Sequence, residues 1–133
     1  MNAAEFLRGR GIRPSQQRVR IYEVLASTKA HPSADALYRE LAPEMPTLSR
    51  TTVFSTLDLF AGKGIVQRLA LSGSELRYDA DTSRHVHFRC RSCGSVSDLP
   101  LSKPPAPPKA PEGYVVECSQ YYAEGLCPAC AEA

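Results

Sequence analysis

The chain has 133 residues, room for one ordinary domain, or for two small ones if something besides burial holds the weaker one together. A net charge of +2 does not announce a polyanion binder, and no run of about 18 apolar residues offers a membrane span. No N-terminal apolar stretch resembles a signal peptide, so a cytoplasmic location with no membrane partner is expected.

The first predicted helix opens at Pro14-Ser15, where Ser15 can cap the free backbone N–H groups, and Ile21, Val24 and Leu25 share one face. The second opens at Pro32-Ser33, with Asp35 favouring the positive end of the helix dipole and Ala34, Leu37, Tyr38 and Leu41 at helical spacing. The third begins near Ser49, stops at Gly62 and Gly64, and carries the apolar stripe Val53, Leu57, Phe60 and Ala61. Its opposite face presents Thr51, Phe54, Ser55 and Asp58, with Arg50 at the start. Short hydroxyls and one aromatic suit a DNA major groove, although an ordinary amphipathic helix also fits. Residues 65–71 read as a strand, Ser72-Gly73-Ser74 as a turn and residues 75–79 as the return strand. Three helices and a hairpin follow the order of a winged helix, with residues 71–75 as the wing tip.

Charge supports a division into two parts. Residues 1–80 hold 11 Lys/Arg against 8 Asp/Glu, whereas residues 81–133 hold 5 against 6. Arg8, Arg10, Arg13, Arg18 and Arg20 crowd the front, as either a solvated helix face or a phosphate-binding surface. In the second part, residues 85–90 and 95–99 read as strands around a Cys-x-x-Cys-Gly knuckle. Six prolines in residues 100–111 exclude an α-helix there, and residues 113–122 read as a further strand. The fold class is α+β: a winged helix-turn-helix domain over residues 1–80, then a small, mostly β domain over residues 81–133.

Cys90, Cys93, Cys127 and Cys130 form two Cys-x-x-Cys pairs. In a reducing compartment such pairs hold Zn2+ more often than they form disulfides, though a disulfide or redox pair remains open. Four thiolates leave no position for a substrate, so the expected role is structural. Cys118 is left over and reads as a small core residue. His85 and His87 lie on one side of a strand. Asp79, Asp81 and Asp98 flank them, and His31 precedes the second helix. A nitrogen and oxygen set suits Fe2+, Mn2+ or Zn2+, and plain surface or hinge histidines also fit. A non-haem iron enzyme and a zinc-ribbon interaction module are the other classes; no substrate-pocket segment is evident, and no enzyme activity or small-molecule substrate is expected.

The whole pattern resembles the ferric uptake regulator (Fur) family. The matching stretches are Arg13-Pro-Ser-Gln-Gln-Arg18, Ala30-His-Pro-Ser-Ala-Asp35, Leu48-Ser-Arg-Thr-Thr-Val-Phe54, Gly64-Ile-Val66, His85-Val-His-Phe-Arg-Cys-Arg-Ser-Cys-Gly94 and Gly125-Leu-Cys-Pro-Ala-Cys130. The resemblance implies a homodimeric repressor of palindromic operator DNA whose second domain dimerises. It also implies a regulatory metal, Fe2+ or Mn2+, bound by His31, Asp79, His85, His87 and Asp98. Arg13, Arg18, Arg50, Thr51, Thr52, Phe54 and Ser55 are the corresponding candidate DNA contacts. Three His and two Asp, with an aspartate at position 98, are most similar to the peroxide-sensing branch (PerR), in which iron chemistry oxidises a ligand histidine, here His31 or His85. The alternative is an iron- or zinc-uptake regulator without peroxide sensing. Phe54 stands where the family usually has Tyr. Cys118-Ser119 stands where many members have a His ligand. The proline-rich segment replaces an interface helix, which leaves the form of the dimer contact open.

Overall fold

The computed structural model describes residues 2–71 and 75–132. It divides into two compact units, Met1–Thr82 and Ser83–Ala133, a boundary two residues beyond the expected one.

The first unit runs α1 (Ala3–Gly9), α2 (Gln16–Ser27), α3 (Ala34–Leu41), α4 (Arg50–Gly62), β1 (Gln67–Leu69) and β2 (Arg77–Asp79). Three of these helices start where a serine was expected to cap them. Ser15, Ser33 and Ser49 accept from the backbone N–H of Arg18, Ala36 and Thr52 at 3.2, 3.1 and 3.0 Å. The predicted apolar faces of the three helices close on one core with Leu7, Ile12 and Tyr78. Helix α1 was not expected. Its seven residues are too few for a periodic signal, and its start is marked only by Asn2, whose side chain accepts from Glu5 N–H. After α4 the chain turns at Gly64, whose φ of +73° suits a residue without Cβ, and Ile65 N–H returns to the Phe60 carbonyl. The hairpin pairs Gln67 with Asp79 and Leu69 with Arg77, so its strands are shorter than residues 65–71 and 75–79 suggested. The expected turn Ser72-Gly73-Ser74, and with it most of the 71–75 wing tip, lies outside the described residues. Arg68 of β1 bonds Asp58 and ties the hairpin to α4.

The second unit is a three-stranded sheet in the order β4-β3-β5, followed by the short helix α5 (Pro128–Ala131). Strand β3 (Val86–Cys90) runs antiparallel to β4 (Val96–Leu99) and parallel to β5 (Tyr121–Gly125). The expected strand over residues 113–122 is a correction, because pairing begins only at Tyr121. Tyr114 and Val115 are 70% and 85% exposed. Their β preference has no neighbouring strand or core to act against. Cys118, read as a core residue, is exposed for the same reason. Residues 100–111 hold no helix. Among the described residues, no helix is long and apolar enough to cross a membrane.

Candidate metal centres and nucleic-acid face

Strand β3 ends on Cys90, and the chain folds back through Gly94, whose N–H donates to the Cys90 carbonyl at 2.9 Å. The Cys93 N–H points at the Cys90 sulfur at 3.5 Å. The parallel partner β5 is fastened here by Arg91 N–H to the Gly125 carbonyl at 2.8 Å, which delivers the second cysteine pair two residues later. The four sulfurs of Cys90, Cys93, Cys127 and Cys130 lie within 4.8 Å of one another, with Cys93 and Cys127 3.9 Å apart. A tetrahedron with Zn–S of about 2.3 Å has edges of roughly 3.8 Å, so the donor set fits Zn2+. All five cysteines are thiols, with no disulfide among them. Backbone N–H donors of Cys93 and Cys127 bring the Cys90 thiol down to about 6. The Ser95 hydroxyl lowers Cys93, and the neighbouring Cys127 thiol pushes Cys130 up to about 12. Ser95, whose hydroxyl lies 3.2 Å from the Cys93 sulfur, carried no local signal.

Among the described residues, histidine and carboxylate side chains meet once in each unit. In the first, His31 sits in the loop before α3 at φ +52°, a strained value for a residue with Cβ. Strand β2 pins this loop: Tyr78 N–H donates to the Pro32 carbonyl at 3.0 Å and Arg77 to the His31 carbonyl at 3.3 Å. His31 Nε2 thereby lies 3.2 Å from Asp79, with both side chains buried. Asp81 bonds back to Asp79 through its backbone N–H, while its own carboxylate meets Lys29 at 3.7 Å. In the second unit, His85 lies just before β3 and His87 within it, and the register places His87 opposite Asp98 on β4. Their Nε2 atoms lie 3.3 and 3.9 Å from one Asp98 oxygen, and the rings are 4.4 Å apart. His85 Nδ1 is 2.7 Å from the Ser83 carbonyl, an acceptor, so Nδ1 donates there and Nε2 is the nitrogen turned to Asp98. Imidazole nitrogens facing a shared carboxylate are donors suited to a divalent cation.

The candidate nucleic-acid contacts fall into two places on the first unit. Arg13, Gln17 and Arg18, near the start of α2, line a groove of about 490 Å3 with Thr52 and Ser55 of α4. Arg18 is oriented by donating to the Arg13 carbonyl at 2.9 Å. Gln17 lies within the matching stretch Arg13-Pro-Ser-Gln-Gln-Arg18 but was not among the candidate contacts. Arg50, Thr51 and Phe54 are exposed on α4, Phe54 by 49%. The Thr52 hydroxyl is engaged with the Ser49 cap at 2.9 Å. Arg50 Nε donates to Asp35 at 3.0 Å, and its guanidinium lies 4.6 Å from the Tyr38 ring centre. These two partners, 15 and 12 residues away in sequence, had no local signal.

The sequence profile described as the Ferric uptake regulator family matches residues 9–104. The Peroxide-responsive repressor PerR of Staphylococcus aureus (strain Mu50 / ATCC 700699) is 39% identical over 93 residues, 70% of this chain and 63% of that protein. The chain therefore spans less than two thirds of the length of that relative. Among solved structures, PerR from Streptococcus pyogenes is 29% identical with a TM-score of 0.56, covering 97% of this chain and 90% of that one. The manganese-bound ferric uptake regulator from Pseudomonas aeruginosa shares the fold, with a TM-score of 0.72 at 21% identity over 96% of this chain and 99% of that one.

Proposed function

The chain belongs to the ferric uptake regulator family, and from that premise we propose that it is a cytoplasmic, metal-dependent transcriptional repressor. It binds palindromic operator DNA as a homodimer and is released by peroxide. Residues 1–80 serve as the DNA-binding domain and residues 81–133 as the metal-binding dimerisation domain. It acts as a regulator and not as an enzyme.

The observation that carries this reading is the pair of histidine–carboxylate groups on either side of the unit boundary. His31 and Asp79 belong to the first unit, and His85, His87 and Asp98 to the second. One Fe2+ or Mn2+ ion ligated by all five would bind some arrangements of the units better than others, and so shift the population towards the DNA-binding one. Bound iron would supply the reduction of H2O2 to an oxidant able to add oxygen to a ligand imidazole. His85 presents Nε2 because Ser83 fixes its proton on Nδ1, and oxygen added to that ring weakens it as a donor. His31 is the other target, held by its pinned loop. Cys90, Cys93, Cys127 and Cys130 hold Zn2+ and keep the second unit folded. Arg13, Arg18, Arg50, Thr51, Thr52, Phe54 and Ser55 face the DNA. The homology to the peroxide-responsive repressor supports the sensing role.

The test is DNA binding with Fe2+, Mn2+ or Zn2+, with and without H2O2, followed by peptide mass spectrometry. Peroxide is expected to release the iron form alone and to add one oxygen at His31 or His85. An iron form that stays on DNA with both histidines unmodified overturns the peroxide reading in favour of an uptake regulator.

A further inference from the structure

Arg50 is the first residue of α4 and one of the most constrained side chains on its exposed face. Its Nε donates to Asp35 Oδ1 at 3.0 Å, and its guanidinium packs over the Tyr38 ring at 4.6 Å. The second Asp35 oxygen is taken by Arg39. Asp35 and Tyr38 both belong to α3, so two side chains of one helix hold a side chain of the next.

We propose that Asp35 and Tyr38 are positioning residues that hold Arg50 as a preset reader of one guanine in each operator half-site. The proposal rests on the DNA-binding reading above. With Nε committed to Asp35, the Nη1 and Nη2 groups remain as an end-on pair, and such a pair matches the O6 and N7 acceptors of guanine in the major groove. A phosphate can be met by a mobile point charge, as lysine does, whereas a bidentate base contact needs the guanidinium held in one plane. Ring stacking and a carboxylate partner fix that plane. Asp35 also carries a cost that a phosphate-only role does not explain. A carboxylate beside a DNA-facing surface repels the backbone, so on electrostatics alone its removal should tighten binding to every sequence. The Arg50 hydrogen bond holds Asp35 below the usual carboxylate range, so the carboxylate stays charged at neutral pH.

The experiment is selection from a random duplex DNA library with Mn2+-loaded full-length protein, comparing the native chain with Asp35→Asn, Arg50→Ala and Arg50→Lys. Thermal melts confirm that each variant is folded. The native chain is expected to enrich a two-fold motif with a fixed guanine in each half. All three variants are expected to lose preference at that position alone, and Arg50→Lys loses it although the charge remains. Asp35→Asn should bind the selected duplex about tenfold or more weakly, while its binding to a scrambled duplex stays the same or tightens. Retention of the guanine by Asp35→Asn overturns the proposal, as does equal tightening on both duplexes. If the native chain enriches no motif, the DNA-binding reading itself falls, and the proposal falls with it.

Discussion

Cys90 and Cys130 face the same cluster with opposite proton affinities. Two backbone donors stabilise the Cys90 thiolate down to about 6, below its ordinary 9.0. Without metal, that thiol contributes stability that is fully present above its unfolded value and is lost as pH falls through about 6. Cys130, pushed up to about 12 by its Cys127 neighbour, contributes stability present below 9.0 and lost as pH rises through about 12. Zinc requires all four sulfurs as thiolates, so at neutral pH its binding displaces the Cys130 proton while Cys90 is already ionised. Zinc affinity should therefore fall steadily from about pH 8 to about pH 6, with a slope of about one proton or more per ion. Competition with a colorimetric chelator across that range measures it, and a flat profile would contradict thiolate ligation by this cluster.

Helix α4 carries two jobs on two faces. Val53, Thr56, Leu57 and Phe60 are buried, and Phe60 meets Tyr22 edge-on with ring centres 5.9 Å apart. Replacing Phe60 with Ala should cost about 3–5 kcal/mol through lost burial and the cavity left behind. In a unit of this size that lowers the melting temperature by more than about 10 °C. Phe54→Ala on the exposed face should barely move it. A denaturant or thermal melt of the two variants separates packing from surface, and equal losses would mean that the helix faces are misassigned. The packed face was legible in the sequence because burial repeats at helical spacing and serine caps announce each start. Helix α1 was not, since Leu7 is fully buried but a seven-residue helix shows no repeat. The strand expected over residues 113–122 misled because Tyr114 and Val115 have strand preference without a partner. The four cysteines were legible from their spacing, whereas the three histidines became a set with Asp79 and Asp98 only through the family resemblance. The roles of Asp35, Tyr38, Gln17 and Ser95 were not legible, because they arise only once distant elements pack.

At the scale of the whole chain, the two units differ in what holds them together. The first closes its helices over a continuous apolar core from Leu7 to Tyr78. In the second, the buried apolar side chains among the described residues are Val86, Cys90 and Val96. Fully burying a valine contributes about 1.5–3 kcal/mol, while fixing the backbone of each residue costs about 1–2 kcal/mol. Two valines cannot order a three-stranded sheet and the long irregular connection between β4 and β5. The sulfur cluster joins the end of β3 to the segment after β5, and a zinc ion held there contributes about 10–16 kcal/mol. Metal removal should therefore act unequally along the chain. On treatment with a strong zinc chelator, amide signals of residues 83–132 should collapse towards random-coil positions, while residues 2–71 keep their dispersion and their helical signature. Restoring one zinc per chain should restore the second unit. The experiment is a heteronuclear NMR titration with zinc counted by mass spectrometry. Preserved dispersion across residues 83–132 in metal-free protein would show that the sheet stands without the cluster, and would leave the four cysteines with some other task.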